Sequence, residues 1–126
     1  MTSHAHHEEI IKHFHEEYSS LLEHSEQGIY VYLDDVHKLC NKKFAQMLGY
    51  ASAEEWAQIK KPFAQTFVKD DSQHALVNAY GKAMEHAAGS SFPVTWKTKE
   101  GKNVPTQVIL VPIAFEKHVL ALHFIS

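Results

Sequence analysis

The sequence has the size and charge of one small soluble domain. Its 126 residues are 44% hydrophobic, which is enough for one core, and the formal net charge of −3 argues against a basic surface that binds nucleic acid. One cysteine excludes an internal disulfide, and the sequence has neither a secretory signal nor an apolar run of membrane-spanning length. We therefore expect a cytoplasmic protein without nucleic-acid or membrane partners.

An amphipathic helix is predicted near the start of the chain. Apolar side chains recur every four residues within 5–26, which places one apolar stripe on an otherwise charged helix. Gly28 is expected to end this helix. The stripe consists of Ile10, Phe14, Tyr18 and Leu22.

Two strands and a series of short helices are predicted next. Residues 29–33 are rich in β-branched and aromatic side chains and predict a strand, which a turn at 34–35 connects to a second short strand at 36–40. Asn41 and Ser52 are residue types that cap helix N-termini, so each predicts the start of a short helix.

A longer helix and a three-stranded meander complete the predicted elements. Residues 70–72 are expected to cap the longer helix, and Gly89 is expected to end it. The apolar period then changes to that of strands, which are predicted at 92–97, 104–115 and 119–125 with tight turns between them. Five strands with short helices on one face indicate an α+β architecture.

Six short motifs follow one another along residues 20–126. They are 28–34, 41–44 with 47–50, 52–55, 68–71, 99–101 and 111–113. In order and spacing they resemble the PAS domain family. The resemblance implies a five-stranded antiparallel sheet whose inner face and flanking helices enclose a small cavity, and a role in sensing or protein interaction. We accordingly divide the chain into an N-terminal helix, 1–26, for flanking contacts and dimerisation, and a PAS domain, 27–126.

The inner face of the sheet is expected to line this cavity. Because core and pocket use the same apolar residue types, the sequence leaves open whether the side chains enclose a small apolar ligand or fill the space. Trp96 and Tyr80 could orient such a ligand as buried hydrogen-bond donors. The candidate lining residues are Phe44, Met47, Leu48, Leu76, Tyr80, Phe92, Val94, Trp96, Val108 and Leu110.

The sequence requires no cofactor. The mid-domain helices lack the cysteine that forms flavin adducts in photosensors similar to this family, and Cys40 is expected to be a small buried residue. On the longer helix, His74 lies about one turn before the position of haem-binding histidines in similar sensors, and His86 lies near the C-terminal end. Haem and non-covalent flavin remain alternatives.

Six of the eleven histidines lie in the first 24 residues. Among them, His6 and His13 would share one helix face with Glu9, and imidazole and carboxylate groups on one face can bind zinc or nickel. No fourth ligand completes the set, so we predict a solvated face and no metal site. Sensing of acid by these histidines is a second hypothesis.

The outer face of the sheet is expected to be apolar as well. If Val108 and Leu110 point inward, Ile109, Val111 and Ile113 point outward, since side chains alternate along a strand. A sheet that is apolar on both faces needs a second cover, which the N-terminal stripe can supply. We therefore predict that the N-terminal helix docks on this face and that a homodimer forms there.

We predict a sensory signal-transduction module that binds a small ligand or a partner protein and mediates dimerisation. A signalling partner or an output domain would receive the signal. The alternative is a structural dimerisation module with a filled core. A small α+β enzyme is the third reading, and catalysis is not expected because the sequence has no glycine-rich phosphate loop, nucleophile elbow or metalloprotease helix motif.

Overall fold

The computed structural model describes residues 2–126, with side chains from residue 6 onward. In chain order the elements are α1 (Thr2–Glu17), α2 (Ser19–His24), β1 (Gly28–Tyr32), β2 (Lys38–Cys40), α3 (Lys42–Met47), α4 (Ala53–Ala57), α5 (Phe63–Phe67), α6 (Asp70–His86), β3 (Ser90–Lys97), β4 (Asn103–Phe115) and β5 (His118–Ile125).

The five strands form one antiparallel sheet in the order β2-β1-β5-β4-β3. The last strand of the chain therefore lies at the centre, between β1 and β4. The predicted α+β class, the five-stranded antiparallel sheet and the N-terminal helix are confirmed. The strand order is known only from the tertiary structure, because the alternating pattern of one strand does not specify which strand it pairs with.

Strand β1 separates the two layers of the core. Tyr30 belongs to the inner cluster beneath the short helices, and Tyr32 packs against it. Ile29 and Val31 belong to the outer cluster, on the opposite face of the sheet. These four side chains alternate between the two faces as a strand requires, and Ile29, Tyr30 and Val31 are at most 1% exposed.

Asn41 joins three segments at the end of β2. Its side-chain Oδ1 accepts hydrogen bonds from the backbone N–H of Phe44 and of Ile29, each at 3.0 Å, and its Nδ2 donates to the Gln27 carbonyl at 3.0 Å. The predicted helix caps at Asn41 and Ser52 are confirmed, since Ser52 Oγ accepts the Glu55 N–H at 3.0 Å. Asn41 thus ties the start of α3 to β1, whereas Ser52 caps α4 locally.

The prediction of one continuous helix over 5–26 was wrong at Tyr18. The backbone there leaves helical geometry, with φ −108° and ψ 21°, and divides the segment into α1 and α2. The second helix ends before Ser25, and Gly28 is the first residue of β1. An added Cβ on Gly28 would lie 3.1 Å from the sulfur of Met47, so this glycine permits close packing of β1 on α3.

Two predictions about the ends of α6 were also wrong. Its N-cap is Lys69, without a side-chain hydrogen bond, because Ser72 Oγ instead accepts the Thr95 N–H of β3 at 3.0 Å. Its left-handed C-cap is Ala87, with φ 53°. Gly89 serves another purpose, since an added Cβ would lie 3.1 Å from the Leu110 carbonyl oxygen. No helix within residues 2–126 has the length and apolar character to cross a membrane.

Helix α1 packs on the outer face of the sheet in the same chain. Ile10 and Phe14 are completely buried in the outer cluster, and the Phe14 ring meets Phe115 of β4 edge-on at 5.4 Å. Leu22 of α2 joins the same cluster, whereas Tyr18 is 36% exposed. The N-terminal stripe therefore covers part of the apolar outer face.

We expect Phe14→Ala to lower the free energy of unfolding by about 3–5 kcal/mol, since it removes a fully buried aromatic ring. Chemical denaturation followed by circular dichroism measures the loss. The matched control is Tyr18→Ala, which truncates an exposed aromatic of the same stripe and should cost clearly less. Equal losses for the two variants would contradict the docking of α1 on the sheet.

Candidate functional site

A mainly apolar cleft lies between the inner face of β1 and the helices α5 and α6. Its volume is about 250 Å³, and its walls are mainly apolar and aromatic. The hairpin turn after β1 and the residue before α5 form one side. The lining residues are Tyr30, Tyr32, Asp35, Pro62, Phe63, Ala64, Gln65, Leu76, Val77, Tyr80 and His123.

Asp35 places a carboxylate at this cleft. One of its oxygens accepts a hydrogen bond from the Tyr32 hydroxyl at 2.9 Å and another from the Phe63 N–H at 3.0 Å. The ring of Tyr80 meets that of Tyr32 edge-on at 5.2 Å. The carboxylate is thus held by both strand and helix, which gives an apolar cleft one oriented acceptor.

The tyrosine hydroxyls of the cleft stay protonated. Burial raises the pKa of Tyr32 well above its usual value, and the hydrogen bond to Asp35 raises it further. Burial likewise raises the pKa of Tyr30 and of Tyr80. Each of these groups can therefore donate a hydrogen bond near neutral pH.

A buried lysine fixes the turn that carries Asp35. The Lys38 ammonium donates to the backbone carbonyls of Asp35 at 3.1 Å and of Ile59, and it lies 5.2 Å from the Trp56 ring centroid. Burial lowers its pKa to about 8. The carbonyl partners and the cation–π contact offset part of the cost of burying this charge.

His123 forms the floor of the cleft beside Tyr30. The two rings are stacked at 3.9 Å with an interplanar angle of 8°, and the histidine is 1% exposed. Its Nδ1 lies 3.0 Å from the Ala121 carbonyl, which can only accept, so Nδ1 carries the hydrogen. Burial lowers the pKa of His123 to about 3, and the imidazole is neutral at physiological pH.

Two of the ten predicted cavity residues, Leu76 and Tyr80, line this cleft. The others pack in the core around it: Met47 and Phe92 are partly buried, while Phe44, Leu48, Val94, Trp96, Val108 and Leu110 are fully buried or nearly so. The Trp96 Nε1–H, proposed as a ligand donor, already donates to Thr106 Oγ1 at 2.9 Å.

Sequence reasoning missed the polar side of the cleft. Tyr30 and Tyr32 share a face with period two, so the strand pattern could have indicated them. Asp35 was assigned only to a turn, and His123 was not singled out at all. The contact between Tyr30 and His123 depends on the pairing of β1 with β5, in which these two residues lie opposite each other.

The residues considered for cofactors lie away from the cleft. Cys40 is buried, and burial raises the pKa of its thiol to about 12, so it stays protonated. His74 and His86 are exposed on α6. None of the three lines the cleft.

The N-terminal histidines turn towards different partners. His6 Nε2 lies 2.9 Å from Nε2 of His118, and His13 Nδ1 lies 3.0 Å from a carboxylate oxygen of Glu116. The hydrogen bond with Glu116 raises the pKa of His13. Glu9 is exposed. The two histidines of the site considered from helix spacing therefore contact separate residues, Glu116 in the β4–β5 turn and His118 at the start of β5.

A different set of three potential metal ligands lies close together in the structure. His7, Asp34 and His37 each offer a ligand atom, and these atoms lie within 4.8 Å of one another. Burial tends to raise the pKa of Asp34, but hydrogen bonds from His37 and His7 outweigh it and hold the pKa below its usual value. The group is therefore a carboxylate between two imidazoles.

We expect the burial of neutral His123 to make the protein less stable as the pH falls. Between the unfolded pKa of about 6.5 and the folded pKa of about 3, the unfolded chain binds a proton that the folded chain excludes. The free energy of unfolding therefore decreases by up to about 1.4 kcal/mol for each pH unit by which the pH is lowered. His123→Leu should remove that part of the slope. Urea titrations from pH 7 to 4 measure it.

The control for this experiment is His74→Gln, which changes an exposed histidine and should follow the wild-type profile. If His123→Leu lost stability with the wild-type slope, His123 would not be the buried neutral group described above.

Comparisons with known proteins agree with this architecture. A PAS domain from Colwellia psychrerythraea has 20% sequence identity and a TM-score of 0.67, covering 90% of this chain and 95% of its own. The PAS domain of the fruit-fly ELK potassium channel has 17% identity and a TM-score of 0.65 over the same shares. A PAS domain from a two-component sensor histidine kinase has 14% identity and a TM-score of 0.66, covering 91% of this chain and 97% of its own.

At these identities the structural similarity shows a common fold. A search of curated proteins finds no match. The sequence itself matches the family model described as a PAS domain over residues 16–79, which is half of the chain. The chain belongs to the PAS domain family.

Proposed function

We propose that this PAS domain is a sensory module that binds a small, mainly apolar molecule in the cleft beneath β1. PAS domains are typical of sensory signal transduction, and one structural neighbour comes from a sensor histidine kinase. The observation that carries the proposal is the oriented Asp35 carboxylate at the edge of an aromatic cleft. A few convergent polar groups in an apolar cleft are the usual form of a ligand site.

The size and lining of the cleft define the class of ligand. Its volume of about 250 Å³ is below the range of about 300–1,000 Å³ that is usual for drug-sized ligands, so the ligand is small. The stacked rings of Tyr30 and His123 offer it a flat apolar floor. Asp35 would accept a hydrogen bond from an N–H or O–H group of the ligand.

The hairpin turn offers a route from the cleft to the N-terminal helix. Asp35 faces the cleft, while the preceding Asp34 accepts a hydrogen bond from His7 of α1 at 3.0 Å. A ligand that moves Asp35 would therefore change how segment 1–26 packs on the PAS domain 27–126. Regulation would follow if the domain bound the ligand with different affinities in the two arrangements of the N-terminal segment, before and after this change.

We expect Ala64→Phe to abolish ligand binding, because the added ring would occupy the cleft that Ala64 lines. A library of small aromatic amines and alcohols can be screened by thermal shift and by native mass spectrometry. A true ligand should stabilise the wild type by about 2.7 kcal/mol at one hundred times its dissociation constant.

The matched control is Ala75→Phe, which adds the same ring at an exposed position of α6 that does not line the cleft. It should bind as the wild type does. A screen without any binder would favour the alternative of a structural module. Binding that survives Ala64→Phe would place the ligand elsewhere.

We also propose that two copies associate through the outer face of the sheet. Helix α1 leaves part of that face open: Ile109 is 45% exposed beside its strand partner Phe124. Tyr18 and Leu21 of the N-terminal segment are 36% and 39% exposed. A second copy would cover these side chains through the same surface, as in a two-fold homodimer.

We expect Ile109→Lys to raise the dimer dissociation constant by at least about tenfold, because it places like charges at the two-fold interface. Sedimentation velocity measures the change across a concentration series. Ala75→Lys, at an exposed position of α6 that does not line the cleft, is the control. An unchanged distribution for Ile109→Lys, or a monomeric wild type, would contradict this interface.

A further inference from the structure

Three potential metal ligands meet where helix α1 touches the hairpin between β1 and β2. The Nδ1 atom of His7 lies 3.0 Å from Asp34 Oδ2, and the Nδ1 atom of His37 lies 2.8 Å from Asp34 Oδ1. The two imidazole rings are 5.4 Å apart and nearly perpendicular. Donors around a tetrahedral zinc ion are about 3.3 Å apart. The two separations from Asp34 are close to that distance, and all three ligand atoms lie within 4.8 Å of one another.

We propose that His7, Asp34 and His37 bind one divalent transition-metal ion, with zinc as the best match. Two imidazoles and one carboxylate suit zinc and its neighbours in the first transition row, whereas calcium and magnesium prefer oxygen ligands. Three protein ligands leave a fourth position, which water can take. A neutral imidazole can bind the ion through Nδ1 once its proton has moved to Nε2, and this change of tautomer leaves the charge of the ring unchanged.

The surroundings hold the central ligand in place. Asp34 Oδ1 also accepts the backbone N–H groups of Val36 at 3.0 Å and of His37 at 2.7 Å, which fixes the orientation of the carboxylate. Hydrogen bonds of this kind commonly orient metal-binding side chains. All three side chains are at least partly shielded from solvent.

A further histidine lies next to His7. The ring of His118, at the start of β5, lies 5.8 Å from that of His7 and 4.9 Å from that of His6. Among the described residues, His118 is thus a neighbouring protein candidate for the fourth position, although its Nε2 now contacts Nε2 of His6. Histidines from α1, from the β1–β2 hairpin and from β5 meet in this one region.

Such an ion would link the N-terminal helix to the PAS core. His7 is 27 residues away from Asp34 in sequence, so the site exists only while α1 is docked. Binding would stabilise the docked state by an amount that grows with the ratio of the free ion concentration to the dissociation constant. This inference does not rest on the proposed ligand cleft, since the site lies on the other side of the hairpin turn.

The test uses the untagged full chain, so that no added histidines compete. Zinc chloride is titrated in by isothermal calorimetry, and cobalt chloride is titrated separately while the visible absorption of tetrahedral cobalt is followed. We expect saturation at one ion per chain, reversal by EDTA and a rise in the melting temperature with zinc. His7→Gln should weaken binding by at least about tenfold and remove the rise in melting temperature.

His37→Gln is the second variant, because it removes a ligand from the hairpin and leaves α1 unchanged. His74→Gln, at an exposed histidine of α6, is the matched control and should bind as the wild type does. Circular dichroism confirms that each variant is folded. Wild-type affinity in both His7→Gln and His37→Gln would overturn the proposal, as would the absence of saturable binding. Loss of binding in His13→Gln alone would place the ion on the exposed helix face and would also overturn it.

Discussion

The structure depends on a sheet that is apolar on both faces. The central strands β1 and β5 bury side chains on each side, so neither face can meet water without a large loss of hydrophobic free energy. The short helices and α6 cover the inner face, and α1 with α2 covers part of the outer face. The N-terminal segment is therefore part of the core, although the family match begins only at residue 16.

The hairpin turn after β1 connects these two layers. Asp34 is bound by histidines on the side of α1, and the next residue, Asp35, is held by Tyr32 and Phe63 on the side of the cleft. The Lys38 ammonium holds the same turn by donating hydrogen bonds to the backbone carbonyls of Asp35 and Ile59. Two adjacent carboxylates with separate partners thus give one short loop contact with both candidate sites.

The adjacency of Asp34 and Asp35 would connect the two proposed sites. A ligand in the cleft and an ion at the histidine cluster would act on neighbouring residues of one turn, so their binding free energies would be coupled. Such coupling must be reciprocal: whatever tightens the docking of α1 when the cleft is filled would also favour the filled cleft when α1 is docked.

The amount that sequence alone could predict differs between fold and site. The alternation of Ile29 to Tyr32 and the caps at Asn41 and Ser52 are local signals, and they led to the correct elements. Local signals failed at Ser72 and Gly89, because each residue interacts with a distant strand. The same applies to the cleft. The spacing of apolar residues predicted that Leu76 and Tyr80 line it, but no local pattern indicated that Asp35 and His123 do so as well.

By itself, the sequence determined the five strands, the short helices and the amphipathic N-terminal helix, because these follow from periodicity and capping within a few residues. Its motifs indicated the family by resemblance. Tertiary structure alone decided the strand order, the stacking of Tyr30 on His123 and the meeting of His7 with Asp34 and His37. Those contacts join residues far apart in the chain, and their partners are chosen by packing and pairing across the whole sheet, which no local pattern encodes.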